Sequence, residues 1–283
     1  MDAVVAVQGD DKTGKTSLAL SFPGPIFHMD LDVGGFRRAS WRYEDKVKSG
    51  ELVSVSYYTP QQALRERLSP EQMRMAMAGG VATKEKVTFK QSKRLVGMKE
   101  LWYRMLSDYV DVITEEKLSP TGKPFQTVVW DSFSQTWELC RLGFLQEKQE
   151  NQPDREKPRE SLLAIEYSEP NARMRAMVYA ARECGKNLVL THYMTDKYEK
   201  VLVGEKVEDR VVGQVAAGWK YIGKECDMLV ETSTLTKRVD GTAKLIPHAK
   251  ILLCGLSMEM TGLEFDNPNW EEIHSALTLY RTL

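Results

Sequence analysis

The sequence predicts an α/β fold, a mostly parallel central sheet with helices on both faces and an antiparallel hairpin at one edge. Three features predict it. Short apolar runs of strand length, VVAV at 4–7, TVVW at 127–130 and NLVL at 187–190, alternate with helical stretches, as in βαβ units. These runs lack the polar alternation of a half-exposed sheet, so both of their faces are covered. The late stretch CDMLVETSTLTKRVDGTAKLIPHAKILL (226–253) instead reads as two strands about an Asp240-Gly241 turn.

The first strand runs straight into GDDKTGKTS, formed by Gly9, Asp10, Asp11, Lys12, Thr13, Gly14, Lys15, Thr16 and Ser17. A glycine, four residues, a second glycine, then Lys and a hydroxyl between strand and helix is the pattern that cradles a phosphate chain. The glycines let backbone N–H groups close around the oxygens, Lys15 reaches the β- and γ-phosphates, and the Thr16 hydroxyl ligates Mg²⁺. A helix over 16–22, stopped by Pro23, adds its positive end. The expected ligand is therefore ATP with Mg²⁺.

Further along, PIFHMDLDVGG gives a second strand, 26–31, closed by Asp30, Asp32 and paired glycines. ELVSVSYY is a strand. TPQQALRERL and SPEQMRMAMAGG read as capped helices, and MKELWYRMLSDYVDVITEE as a long amphipathic one. QTVVWDS delivers Asp131 to a strand end, where it suits a metal-holding acid; Asp131-Ser132 would equally cap the helix over 133–149. NQPDREKPRE (151–160) reads as an exposed loop and 171–184 as a helix. NLVLTH is a strand ending in His192, and 194–218 a charged, glycine-containing loop. The chain closes with a short helix at about 269–280. A single domain over 1–283 is expected, with an inserted helical and basic segment at about 45–120.

The bulk numbers exclude several classes. At 42% hydrophobic and 28% charged residues, the 283-residue chain has a globular composition. Its net charge of −1 gives no whole-molecule attraction for nucleic acid, so any basic surface must be local. Cys140, Cys184, Cys226 and Cys254 form no C-x-x-C pair, which fits reduced thiols rather than a zinc knuckle. No apolar run reaches membrane-spanning length and no signal peptide precedes the first strand, so the expected compartment is the cytoplasm, without a membrane partner. A GTPase is disfavoured because THYMTD lacks the Lys of N-K-x-D, and nothing suggests the acceptor pocket of a small-molecule kinase.

The order GDDKTGKT, MDLD, TVVWDS, NLVLTH and GWKYIGKECDMLVE resembles the RecA-like P-loop ATPase core, and more closely the phage-encoded RecA-like single-strand annealing proteins. The resemblance spans roughly residues 3–255. It implies an ATPase that binds single-stranded DNA, promotes annealing or recombination, and assembles as a ring or filament, in a bacterial host if phage-encoded. Asp32 stands where that family carries its catalytic carboxylate, usually Glu, and is one methylene shorter. His192 takes the place of the γ-phosphate sensor, and Lys220 or Lys224 that of a lysine reaching the neighbouring subunit's nucleotide. The implied DNA-binding loops are 150–160 and 194–218, the latter carrying Lys197, Lys200, Lys206 and Arg210 among five acids. The more basic stretch is 84–99, with Lys84, Lys86, Lys90, Lys93, Arg94 and Lys99 around Phe89, which suits a single-stranded backbone with a base stacked. The alternative is a nucleotide-dependent adaptor or loader ATPase working through protein partners.

Overall fold

The first strand, β1 (Val4–Gly9), is buried along its whole length in the middle of an eight-stranded sheet. The computed structural model describes residues 2–32, 34–57, 95–152, 158–203, 206–239 and 242–281, with backbone alone at 202, 203, 206, 207 and 239. β2 (Ile26–Asp30), β3 (Leu52–Ser56), β4 (Thr127–Asp131) and β5 (Asn187–His192) complete the parallel part with β1. β8 (Met228–Val239) continues it parallel to β1; β9 (Thr242–Cys254) and β10 (Glu264–Asp266) close the edge antiparallel. The order across the sheet is β10-β9-β8-β1-β5-β4-β2-β3.

Strand periodicity divides the core. Val4 and Ala6 face one side with Met29, Val128, Trp130, Leu188 and Leu190; Val5 and Val7 face the other with Ile26, Val129, Val189 and Val230. The first side is covered by three long helices, which contribute Trp102, Met105 and Tyr109, Leu139 and Cys140, and Met174, Met177 and Val178. The second side is covered by the helix after the phosphate loop and the C-terminal helix, through Leu18, Leu20, Trp270, Ile273 and Leu277. Phe22 stacks on Trp270 at 4.0 Å. Both faces of β1, β4 and β5 are thus dry, as their apolar runs require.

The helices are α1 (Lys15–Ala19), α2 (Gly35–Ala39), α3 (Glu44–Ser49), α4 (Met98–Ile113), α5 (Phe133–Glu150), α6 (Ser168–Glu183), α7 (Ile222–Glu225) and α8 (Trp270–Arg281). α1 ends at Ala19, three residues short of the expected 22, and α6 begins three residues before 171. α2 and α3 had no counterpart among the sequence expectations. Segment 194–218 is not the expected loop. β6 (Met194–Val203) and β7 (Lys206–Ala216) form a separate two-stranded antiparallel hairpin. Its charges concealed the strand pattern because they neutralise each other across the ladder, Glu199 opposite Arg210 and Lys200 opposite Asp209. The expected helices in 59–80, the basic residues Lys84, Lys86, Lys90, Lys93 and Arg94 with Phe89 among them, and the Asp240-Gly241 turn lie outside the described residues. All four cysteines are free thiols, and among the described residues no helix is long and apolar enough to cross a membrane.

Candidate active site

The carboxyl ends of β1, β2, β4 and β5 meet at one end of the sheet, where ligands of open α/β folds bind. A cavity of about 480 Å³ opens there, lined by Asp11, Lys12, Gly14, Lys15, Thr16, Ser17, Asp32, Arg38, Asp131 and Tyr193 among others. The sequence explains its shape. Gly9 ends β1 at φ 155°, and a Cβ there would lie 2.3 Å from the Thr232 carbonyl oxygen of β8. Gly14 caps α1 in the left-handed region at φ 97°, a conformation that glycine adopts without strain. The loop between them wraps back on itself. The Thr13 hydroxyl lies 2.7 Å from Thr232 Oγ1 and donates to the Asp10 carbonyl at 2.8 Å, so Thr13 braces the loop from beneath. The Asp10 side chain is exposed.

Lys15 is almost fully buried and donates to the carbonyls of Gly9 (2.7 Å) and Asp10 (2.6 Å). Burial lowers its pKa, opposed by Asp11, Asp131, Asp32 and Asp10. Its Nζ also lies 5.4 Å from the centre of the Tyr193 ring. An ammonium group held by two carbonyls of a phosphate loop is a charge kept in place for an anion.

Asp131 is buried and held from three sides. Thr16 Oγ1 donates to its Oδ2 at 2.6 Å, the Thr191 hydroxyl donates to Oδ1, and His28 Nε2 lies 3.4 Å from Oδ2. Burial works against its charged form, but His28, Thr16 and Thr191 outweigh it and hold the carboxyl below the usual carboxylate range. His28 is itself oriented by Ser54 at 2.8 Å. Helix capping falls to the next residue, because Ser132 Oγ accepts from Gln135 N. Thr16 and Asp131 thus form an ionised carboxylate beside a hydroxyl at the phosphate loop. This donor set fits Mg²⁺, which takes one or two protein oxygens and completes its shell with phosphate and water. Among the described residues no cluster of three or more His, Cys, Asp or Glu could hold a metal on its own.

Asp32 lies across the cavity. Its backbone N–H donates to the Asp131 carbonyl at 3.1 Å and to Asp30 Oδ1 at 3.1 Å. Its carboxylate lies 3.8 Å from Arg38 Nη2, and with burial as the larger cause it raises the pKa of the Tyr193 hydroxyl across the cavity. Asp30 does not line the cavity; burial raises its pKa to about 6, with His28 acting against and Asp131 with the shift.

The structure brings Lys15, Thr16, Ser17, Asp32 and Asp131 together as the motifs require. His192 does end β5, but its side chain is fully buried outside the cavity lining, packed on Phe133 with ring centroids 5.5 Å apart. Nδ1 lies 3.1 Å from the Ala217 carbonyl, and Nε2 has no partner among the described residues. Burial pushes its pKa down to about 4, against the Ala217 contact, so the ring is neutral near pH 7. Lys220 and Lys224 are exposed and outside the cavity lining. On the hairpin, Lys197 pairs with Glu199 and Arg210 approaches Glu208, while Lys200 is exposed. Of Lys206 only the backbone is described.

Sequence reasoning missed Tyr193, His28, Arg38 and Arg42. Strand parity was the available signal for Tyr193. It shares a face with Thr191, which bonds Asp131, whereas His192 points to the opposite face. Tyr193 also stands at the root of the β6–β7 hairpin. Its carbonyl accepts from Ala217 N at 2.7 Å, and Ser134 Oγ accepts from Tyr193 N while donating to the Ala217 carbonyl.

A family model described as an AAA domain matches residues 1–244. Among solved structures, the chain is similar to the flagellar accessory protein FlaH from Methanocaldococcus jannaschii. The two share 13% identity over 92% of this chain and 81% of that chain, with a TM-score of 0.37. The curated proteins give no match.

Proposed function

The chain belongs to the AAA-domain family that matches its residues 1–244, and from that premise we propose that it binds and hydrolyses ATP with Mg²⁺ and acts on single-stranded DNA, assembling as a ring or filament. The observation that carries the ATPase reading is the Thr16–Asp131 hydrogen bond beside Lys15, with Asp32 across the same cavity. On binding, Lys15 exchanges the Gly9 and Asp10 carbonyls for β- and γ-phosphate oxygens. Thr16 and Asp131 would hold Mg²⁺, which supplies neutralisation of phosphate charge. Asp32 orients the attacking water and takes its proton; Tyr193 positions Asp32.

The DNA reading is supported by the order of motifs and by the basic composition of 84–99. One observation favours the adaptor reading. Lys200 and Arg210 face acids across the hairpin and Lys197 pairs with Glu199, while Tyr198, Val211, Val212 and Val215 of the same hairpin are exposed, a surface better suited to protein than to phosphate. Anisotropy with labelled single-stranded DNA, at several salt concentrations and with or without a non-hydrolysable ATP analogue, separates the two. DNA action predicts binding whose log–log salt slope is about −0.7 per phosphate contacted, weakened when Lys90, Lys93 and Arg94 are charge-reversed together. Absence of DNA affinity in every nucleotide state, from a protein that still assembles with ATP, selects the adaptor.

A further inference from the structure

Arg38 lies on α2 just after the turn that closes β2, and its guanidinium lines the same cavity as Lys15, Thr16 and Asp131. The turn is shaped to bring it there. Gly34 sits at φ 88°, and a Cβ on it would lie 3.1 Å from Arg38 Nη1. A Cβ on Gly35 would lie 2.7 Å from Asp32 Oδ2 and 3.4 Å from Asp131 Oδ2. The paired glycines therefore clear the room in which a guanidinium and two carboxylates converge. Arg38 reaches Asp32 from its outer side, Nη2 to Oδ2 at 3.8 Å, with 56% of its side chain exposed. An ion pair of that length and exposure is weak and easily exchanged. The two neighbouring arginines are placed differently. Arg42 also lines the cavity, but its guanidinium lies 5.2 Å from the Trp41 ring centre rather than against Asp32. Arg37 is exposed and outside the cavity lining.

We propose that Arg38 is a catalytic arginine supplied by the same chain, resting on Asp32 and transferring to the γ-phosphate when ATP binds. The inference rests on the ATPase reading. In the step it serves, the water oxygen bonds to the γ-phosphorus as the bond from that phosphorus to the β–γ bridging oxygen breaks. The bond's electron pair leaves on ADP and the water proton passes to Asp32. Arg38 leaves Asp32 and donates N–H groups to the γ-phosphoryl oxygens as negative charge spreads over them. A guanidinium fork suits this and an ammonium does not.

The test compares wild type with Arg38→Ala, Arg38→Lys and, as a charge control, Arg37→Ala. Steady-state ATP turnover is measured together with binding of ADP alone and of ADP with aluminium fluoride. The expected result is a kcat lowered ~10²-fold or more in both Arg38 variants with KM changed less than about threefold, the signature of an interaction made only in the transition state. ADP affinity is retained in those variants, tight trapping of ADP with aluminium fluoride is lost, and Arg37→Ala matches wild type. A raised KM with unchanged kcat, or trapping by Arg38→Ala equal to wild type, overturns the proposal. So does a wild type that binds ADP without any gain from aluminium fluoride. A wild type that binds no ADP overturns the nucleotide reading itself, and this one with it.

Discussion

Asp32 and Asp30 are two residues apart on one strand end, yet their surroundings assign them different chemistry. Asp32 faces the cavity beside Tyr193 and Arg38. Replacing it with Asn keeps the shape and removes the base. ATP binding should stay near wild type while turnover falls ~10²–10⁴-fold, and unchanged turnover in a phosphate-release assay would hand the role to another acid. Asp30 is half-buried beside Asp131, and burial raises its pKa from an ordinary 3.8 to about 6. The native state therefore holds this proton more tightly than the unfolded chain, and the stability it contributes is lost as pH rises from about 4 to about 6. Asn at this position keeps the acceptor for Asp32 N–H and carries no charge. Asp30→Asn should match wild type near pH 4 and be more stable by about 1–2 kcal/mol above pH 6, after allowance for partial exposure. Urea unfolding at the two pH values measures this, and an equal difference at both would refute it.

The turns, more than the strands, make the site. Gly9 and Gly14 both have positive φ, but only Gly9 faces a backbone atom closely, the Thr232 carbonyl of β8. Gly14 has nothing nearer to its missing Cβ than Pro247 Cβ at 3.6 Å. Gly9→Ala should therefore cost about 2 kcal/mol or more, since it pushes β1 from β8 as well as straining the backbone, whereas Gly14→Ala should cost about 1 kcal/mol. Equal urea midpoints for the two variants would contradict the geometry. The same contrast explains what the sequence made legible. Phosphate binding needs glycines, Lys and a hydroxyl at fixed spacing, so the loop from Gly9 to Ser17 declared itself. Asp131 was readable because an apolar strand ended in an acid. α2 is only five residues long, too short for a periodic signal, so Arg38 stayed hidden behind the paired glycines. The β6–β7 hairpin was masked because its strand faces carry charges that answer one another rather than an apolar alternation. His192 attracted attention as the last polar residue of its strand, while the side chain that enters the cavity belongs to Tyr193, one residue on and of opposite parity.

At the scale of the molecule, two apolar layers fix the parallel strands so that their carboxyl ends present Lys15, Thr16, Asp32, Asp131 and Tyr193 to one cavity. The hairpin rooted at Tyr193 gives that cavity a mechanical neighbour, and Ser134 ties both hairpin ends to the start of α5. All of this depends on the cavity being a hydrolytic nucleotide site. The most direct test is phosphate release from ATP with Mg²⁺ by wild type and Lys15→Ala, each with and without single-stranded DNA, with folding checked by circular dichroism. The account predicts turnover in the wild type that rises when DNA is added, and background turnover in a folded Lys15→Ala protein. Equal turnover by the two proteins, or none by the wild type under either condition, would contradict it.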